Sequence, residues 1–121
     1  MQYMLIFQSP LAEFAKANDP RTAPAYFAAW GAYIGAMRGA GVVVHGDGLQ
    51  PPQMGTILRV RDGKRVVQDG PYADTKEHLG GYFVIEAASL DIALDWAAKS
   101  PCALAGSVEV RPVLPPLAMG K

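Results

Sequence analysis

The sequence predicts one α+β domain, with the element order βαββαβ and a β-hairpin inserted after the second strand. Three observations carry this reading. Residues 2–8 and 82–87 are apolar on both faces, as central strands covered on both sides are. Residues 42–48 and 107–113 pair an apolar face with a polar one, which suits sheet edges. Residues 23–40 and 90–99 have helical periodicity and stand between the strands as crossovers.

Each element follows from its residues. In 2–8, Tyr3, Leu5 and Phe7 point one way and Met4 and Ile6 the other. Residues 9–22 form a loop with a helical turn around 11–17 and a turn at Asp19-Pro20. Helix 23–40 starts with Thr22 as cap and Pro24 in its first turn, and Gly41 stops it. Phe27, Trp30, Ile34 and Met37 recur at spacings of three and four, giving a core stripe that Tyr33 borders. Trp30 and Tyr33 read as core rather than as cofactor contacts.

In 42–48, Val42 and Val44 share one face, and Val43, His45 and Asp47 the other; Gly46 and Gly48 mark a bulge or a close backbone approach. Asp62-Gly63 turns a hairpin with arms 56–61 and 64–68. Asp69-Gly70-Pro71-Tyr72 is a turn. Asp74-Thr75-Lys76-Glu77 has the form of a capping box opening a helical turn that Gly80-Gly81 ends. In 82–87, Tyr82 and Val84 oppose Phe83 and Ile85. Ser89 caps helix 90–99, which turns Leu90, Ala93, Leu94 and Ala97 inward and pairs Asp95 with Lys99. In 107–113, Val108 and Val110 oppose Glu109 and Arg111. The domain spans 1–113, and 114–121 is a tail.

This order is the ferredoxin-like one, in which the first and third core strands are central, as their two apolar faces require. Both helices cover one sheet face. The other face exposes apolar side chains of the central strands, and a second copy of the chain is the simplest cover.

Of 121 residues, half are hydrophobic, and 11 basic residues balance 11 acidic ones. That balance excludes the electrostatic footprint of a direct nucleic-acid or anionic-membrane binder. Arg59, Arg61, Lys64 and Arg65 read as the solvated face of the hairpin. The single cysteine, Cys102, reads as a small buried thiol. No stretch reaches the length of a membrane span and no basic leader precedes the first strand, so a cytoplasmic location is expected. Phosphate-loop, dinucleotide, nucleophile-elbow and metal-spaced histidine motifs are all missing from the sequence, so any enzyme activity here is expected to need no cofactor, or only a weakly held metal.

Asp69-Gly70-Pro71-Tyr72, followed by Thr75-Lys76-Glu77-His78-Leu79-Gly80-Gly81-Tyr82, resembles the signature of the DGPF branch of the YCII-related family. Gly46-Asp47-Gly48-Leu49-Gln50-Pro51-Pro52 and Gly106-Ser107-Val108-Glu109-Val110-Arg111-Pro112-Val113 are similar to two further blocks of it. Tyr72 stands where that signature has Phe. The resemblance covers nearly the whole chain and implies a ferredoxin-like protomer in a dimeric α/β barrel. The wider family is linked to a His–Asp pair with its histidine on the first helix, and to a lyase-type dehalogenation. Helix 23–40 here has no histidine. Branch members are also associated with extracytoplasmic-function sigma factors, which implies a regulatory alternative.

The residues that can carry chemistry are few. His45 and Asp47, two apart on a strand with Cα atoms about 7 Å apart, form either a general-base dyad or an edge histidine beside a bulge. Asp69 is either a catalytic carboxylate or turn chemistry. Lys76 suits a ligand carboxylate, and Glu77 or His78 a proton transfer, unless they form a solvated turn. Tyr82 follows on the central strand as a ligand contact. Arg111 either clamps an anion or pairs with Glu109. Together they point to cofactor-independent acid–base chemistry, a lyase or isomerase step on a small anionic organic molecule. The alternative is a small-molecule-sensing or regulatory module linked to sigma-factor-dependent transcription. A cofactor-free oxygenase rests on fold analogy alone. The expected site lies where the 69–82 segment meets the two polar strand faces, with the hairpin as a flap.

Overall fold

The computed structural model describes residues 1–70 and 75–115. Four strands form an antiparallel sheet in the order β2-β5-β1-β6, with β1 Gln2–Ser9, β2 Val43–Gly48, β5 His78–Glu86 and β6 Ser107–Pro112. β3 Thr56–Arg61 and β4 Lys64–Asp69 form a separate two-stranded ribbon. The helices are α1 Leu11–Ala15, α2 Ala23–Gly39, α3 Leu90–Ala98 and α4 Cys102–Ala105, with 3₁₀ turns at Lys16–Asn18 and Pro52–Met54. The two strands with two apolar faces are the central ones, so the ferredoxin-like order stands.

The core lies between the sheet and α2 and α3. Tyr3, Leu5 and Phe7 of β1 pack there with Phe83 and Ile85 of β5, Tyr33 and Met37 of α2, and Ala93 and Ala97 of α3. Val108 and Val110 pack against this cluster, so Glu109 and Arg111 point to the opposite, open face. That face carries Met4 and Ile6, with Tyr82 and Val84 paired opposite them. Two helical stripes are narrower than their periodicity predicts. Trp30 and Ile34 pack against the core, but Phe27 is 59% exposed. In α3 the alanines are buried, whereas Leu90 and Leu94 are exposed.

Thr22 does not cap α2; its hydroxyl donates to the Lys16 carbonyl at 2.8 Å and ties the helix to the preceding turn. Ser89 does cap α3, accepting from the Ile92 amide. Lys99 holds its ammonium 4.7 Å over the Trp96 ring.

Three local expectations give way to tertiary pairing. A register shift between Val43 and His45 puts Val43 opposite Ile85 on the core face, while His45 and Asp47 stay opposite Val84 and Tyr82 on the open face. Val43 therefore does not share a face with His45 and Asp47. Thr75, Lys76 and Glu77 form no helical turn, and β5 begins at His78. The carbonyls and amides of 78–81 find ladder partners in β1 and β2, which outweighs the local capping pattern. Gly80 and Gly81 thus lie inside the central strand. The Pro71-Tyr72 half of the turn and Asp74 lie outside the described residues, as does the tail beyond 115.

The hairpin turn is as expected, with φ of 52° at Asp62 and 73° at Gly63. Alanine disfavours that conformation, so Gly63→Ala should lower unfolding stability by about 1 kcal/mol. An unchanged denaturant midpoint would contradict the turn assignment.

Candidate functional site

Between α2 and the core face of the sheet lies a cavity of about 420 Å³. Its walls are aromatic: Phe7 and Phe83 from the sheet, Phe14 from α1, and Tyr26, Phe27 and Trp30 from α2. Phe7 and Trp30 meet edge to face at 5.1 Å. Gly80 and Gly81 of β5 also line it; an added Cβ would come within 2.9 Å of the Phe14 ring at Gly80 and of the Asp47 carbonyl at Gly81, so the glycines let these groups pack close against the strand. Asp47, Gly48 and Leu49 bring the end of β2 to the lining, and Tyr82 completes it. Burial pushes the Tyr26 phenol up from its ordinary value. Phe14, Tyr26 and Phe27 were not among the candidates read from the sequence. The available signal was Gly80-Gly81 inside an apolar segment, together with three aromatic residues in the first turns of α2.

Asp47 and Tyr82 belong to this lining at the β2–β5 edge, but their side chains stand on the open face of the sheet, where they form a polar pair. The Tyr82 hydroxyl donates to an Asp47 carboxylate oxygen at 3.2 Å. That carboxylate raises the phenol's pKa, with a smaller contribution from desolvation. His45 meets the Tyr82 ring edge to face at 5.8 Å. His45, Asp47 and Tyr82 are thus one cluster on β2 and β5. The exposed carboxylate has Tyr82 as its hydrogen-bond partner.

The remaining candidates fall elsewhere. Glu109 and Arg111 form an ion pair on β6, the opposite edge of the same open face. Two strands intervene, which puts the pair roughly 14 Å from β2 at the usual strand spacing. Glu77 accepts a 2.6 Å hydrogen bond from the Ser107 hydroxyl, which ties the entry of β5 to β6. His78 stands opposite Ser9, and its Nε2 is buried without a hydrogen-bond partner. Lys76 is exposed beside it. Asp69 ends β4, exposed and opposite Thr56. Within one protomer these residues form no common pocket with His45 and Asp47.

Cys102 is buried; its thiol donates to the Gln8 carbonyl at 3.1 Å and lies 3.3 Å from the Ser9 hydroxyl. Burial pushes its pKa up, which disfavours the nucleophilic thiolate. Among the described residues no three His, Cys, Asp or Glu side chains gather in a way that could hold a metal ion. No helix among them is long and apolar enough to cross a membrane.

Comparison with known proteins places this geometry. A YCII-related domain is recognised over residues 1–116. An uncharacterised protein of Rhizobium meliloti (strain 1021) is 46% identical over 67 residues, 54% of this chain and 54% of that protein. The chain therefore matches about half of that relative's length. Among solved structures, the 5-chloro-2-hydroxyhydroquinone dehydrochlorinase TftG of Burkholderia phenoliruptrix AC1100, in complex with 2,5-dihydroxybenzoquinone, superposes with a TM-score of 0.55. The superposition covers 94% of both chains at 17% identity, a likeness of fold. With its sheet order, its hairpin insertion and a family match over nearly its full length, the chain belongs to the YCII-related family.

Proposed function

We propose that this protein binds a small planar organic molecule in the α2 cavity and carries out cofactor-independent acid–base chemistry on it, a lyase or isomerase step. The observation that carries the proposal is the aromatic cavity, whose lining extends to Asp47 and Tyr82 at the β2–β5 edge of the sheet. Its volume suits one substituted ring, since ligand pockets start at roughly 300 Å³. Edge and face contacts from Phe27, Trp30 and Tyr26 favour a flat ligand over a branched aliphatic one. The TftG structure, with a dihydroxybenzoquinone bound on the same fold, supports that ligand class.

In this reading the ligand extends from the cavity round the β2–β5 edge to the open face, where Asp47 takes a proton from it. In a lyase step, a leaving group departs from the neighbouring carbon with the bonding electrons. Tyr82 stays protonated and supplies a hydrogen bond, first to Asp47 and then to the oxygen on which charge develops. His45 packs on Tyr82 and holds its ring. The open face of the sheet is covered by a second copy of the chain, which brings the partner's Glu109 and Arg111 edge towards the cluster.

A thermal-shift screen of hydroxylated benzoquinones and phenols tests this. A ligand that raises Tm should lose turnover by about a hundredfold or more in Asp47→Asn while its affinity holds. Tyr82→Phe should retain binding and lose part of the rate. No stabilisation by any planar phenol or quinone defeats the proposal.

One observation favours a second reading, a small-molecule sensor. The cavity lining holds a single carboxylate and otherwise apolar or weakly polar side chains. Binding with no conversion over long incubation, in wild type and Asp47→Asn alike, would select the sensor.

A further inference from the structure

The β3–β4 hairpin carries an apolar stripe that stands half exposed in its own protomer. Leu58 pairs with Val67, and Val60 follows two residues on, so all three stand on one face of the ribbon. They are 50%, 59% and 58% exposed, respectively. The ribbon pairs with no strand of the four-stranded sheet. A lone two-stranded hairpin is at best marginal in water, and a half-exposed aliphatic stripe makes it more so.

The charges of the chain are also unevenly distributed. Residues 56–69 hold Arg59, Arg61, Lys64 and Arg65 against Asp62 and Asp69. Around the open face stand Asp47, Glu77, Glu86 and Glu109, with His45 beside them; Glu86 pairs with the N-terminal ammonium and Glu109 with Arg111, which leaves Asp47 and Glu77 without a cationic partner among the described residues. Met4, Ile6 and Val84 form the apolar centre between them. A chain of zero formal net charge thus holds a basic ribbon with an apolar stripe and an acidic-bordered apolar face. Two such surfaces on one molecule fit each other in a second copy, where a two-fold axis uses both pairs at once.

We propose that the hairpin is an arm that lays its Leu58, Val60 and Val67 stripe along the border of the open face of a second copy, with Lys64 and Arg65 at its tip among that face's acidic groups. This rests on the dimer reading given above. The arm then closes the partner's open face at its rim, and each protomer's open face is incomplete without the other chain.

Sedimentation and concentration-dependent hydrogen exchange on the full-length chain test the arm. Leu58→Glu with Val67→Glu changes no core contact, so the fold should hold. The expected result is a dimer dissociation constant raised at least tenfold. Amides of β3 and β4 should become protected as the wild type goes from monomer to dimer, and this protection should be lost in the variant. Lys64→Glu with Arg65→Glu should weaken the dimer and blunt its salt dependence. A wild-type dimer broken by Met4→Glu, at a half-buried position of the open face, but indifferent to both hairpin variants, with hairpin amides exchanging alike in monomer and dimer, overturns the arm and leaves the sheet-face dimer standing. A wild type that stays monomeric at micromolar concentration overturns both.

Discussion

Gly46→Ala is expected to cost the fold about 2–4 kcal/mol, because the added methyl has nowhere to go. Its carbon would sit 2.3 Å from the Phe83 ring and 2.5 Å from the Tyr82 carbonyl. The ring is part of the buried core, and the carbonyl belongs to the central strand. Neither can yield without moving β2 away from β5. A loss of that size lowers Tm by roughly 10 °C in a chain of this length. Gly48→Ala is the matched control. Nothing lies within 4 Å of its added carbon, so it should cost well under about 1 kcal/mol. Denaturant unfolding of both variants decides the matter, and equal losses would contradict the close-packing account. Gly46→Ala should also disturb the Asp47–Tyr82 pair, since that strand contact sets its spacing.

Loss of stability in alkali is the second large effect expected. Burial raises the pKa of Tyr33, Tyr26 and Cys102, and the Asp47 carboxylate raises that of Tyr82. A group whose pKa is higher folded than unfolded binds its proton more tightly in the native state. The resulting stabilisation is full below the ordinary values of 9.0 for the thiol and 10.0 for the phenols, and is lost as pH climbs through the raised ones. Stability should therefore be level through neutral pH and fall steeply above pH about 10. Tyr33 should lead, because its hydroxyl is tied to the Trp96 carbonyl at 2.9 Å within the core. Tyr33→Phe should be less stable at neutral pH and flatter in alkali. A wild type whose midpoint is the same at pH 7 and pH 11 contradicts this account. The acid side should be shallow, since the carboxylate held low, Asp19, is paired with Arg21 at the surface.

The strand assignments were legible in the sequence because they rest on periodicity. Tyr3, Leu5 and Phe7 alternate with Met4 and Ile6, and a strand with two apolar faces has to be central. The Asp62-Gly63 turn was legible because its chemistry is local. What could not be read is whatever depends on a partner strand. The bulge that separates Val43 from His45 exists only in the pairing with β5. The segment 74–77 has the residues of a helix cap, and only the neighbouring β1 and β2 reveal that His78 already belongs to a ladder. The polar cluster was half legible. Period-two spacing placed His45 with Asp47, but the hydrogen bond from Tyr82 joins residues 35 apart. The cavity was least legible, since its lining joins Gly80 and Gly81 of β5 with five aromatic rings from β1, α1 and α2, elements far apart in the sequence.

The sheet order has a consequence for how the chain is made. β1 lies between β5 and β6, and Leu5 faces Phe83 on one side and Val110 on the other. β1 therefore leaves the ribosome about seventy residues ahead of β5 and further still ahead of β6, the two strands it needs. β2 can find no partner in the main sheet until β5 is synthesised. By contrast, α2 and the hairpin have contacts close at hand in the sequence. Such a topology couples folding to long loop closures and slows it relative to a helical chain of equal length. During that wait, the apolar residues of 2–8 are a sticky strand edge, and shielding by a chaperone during synthesis should raise the yield of folded protein.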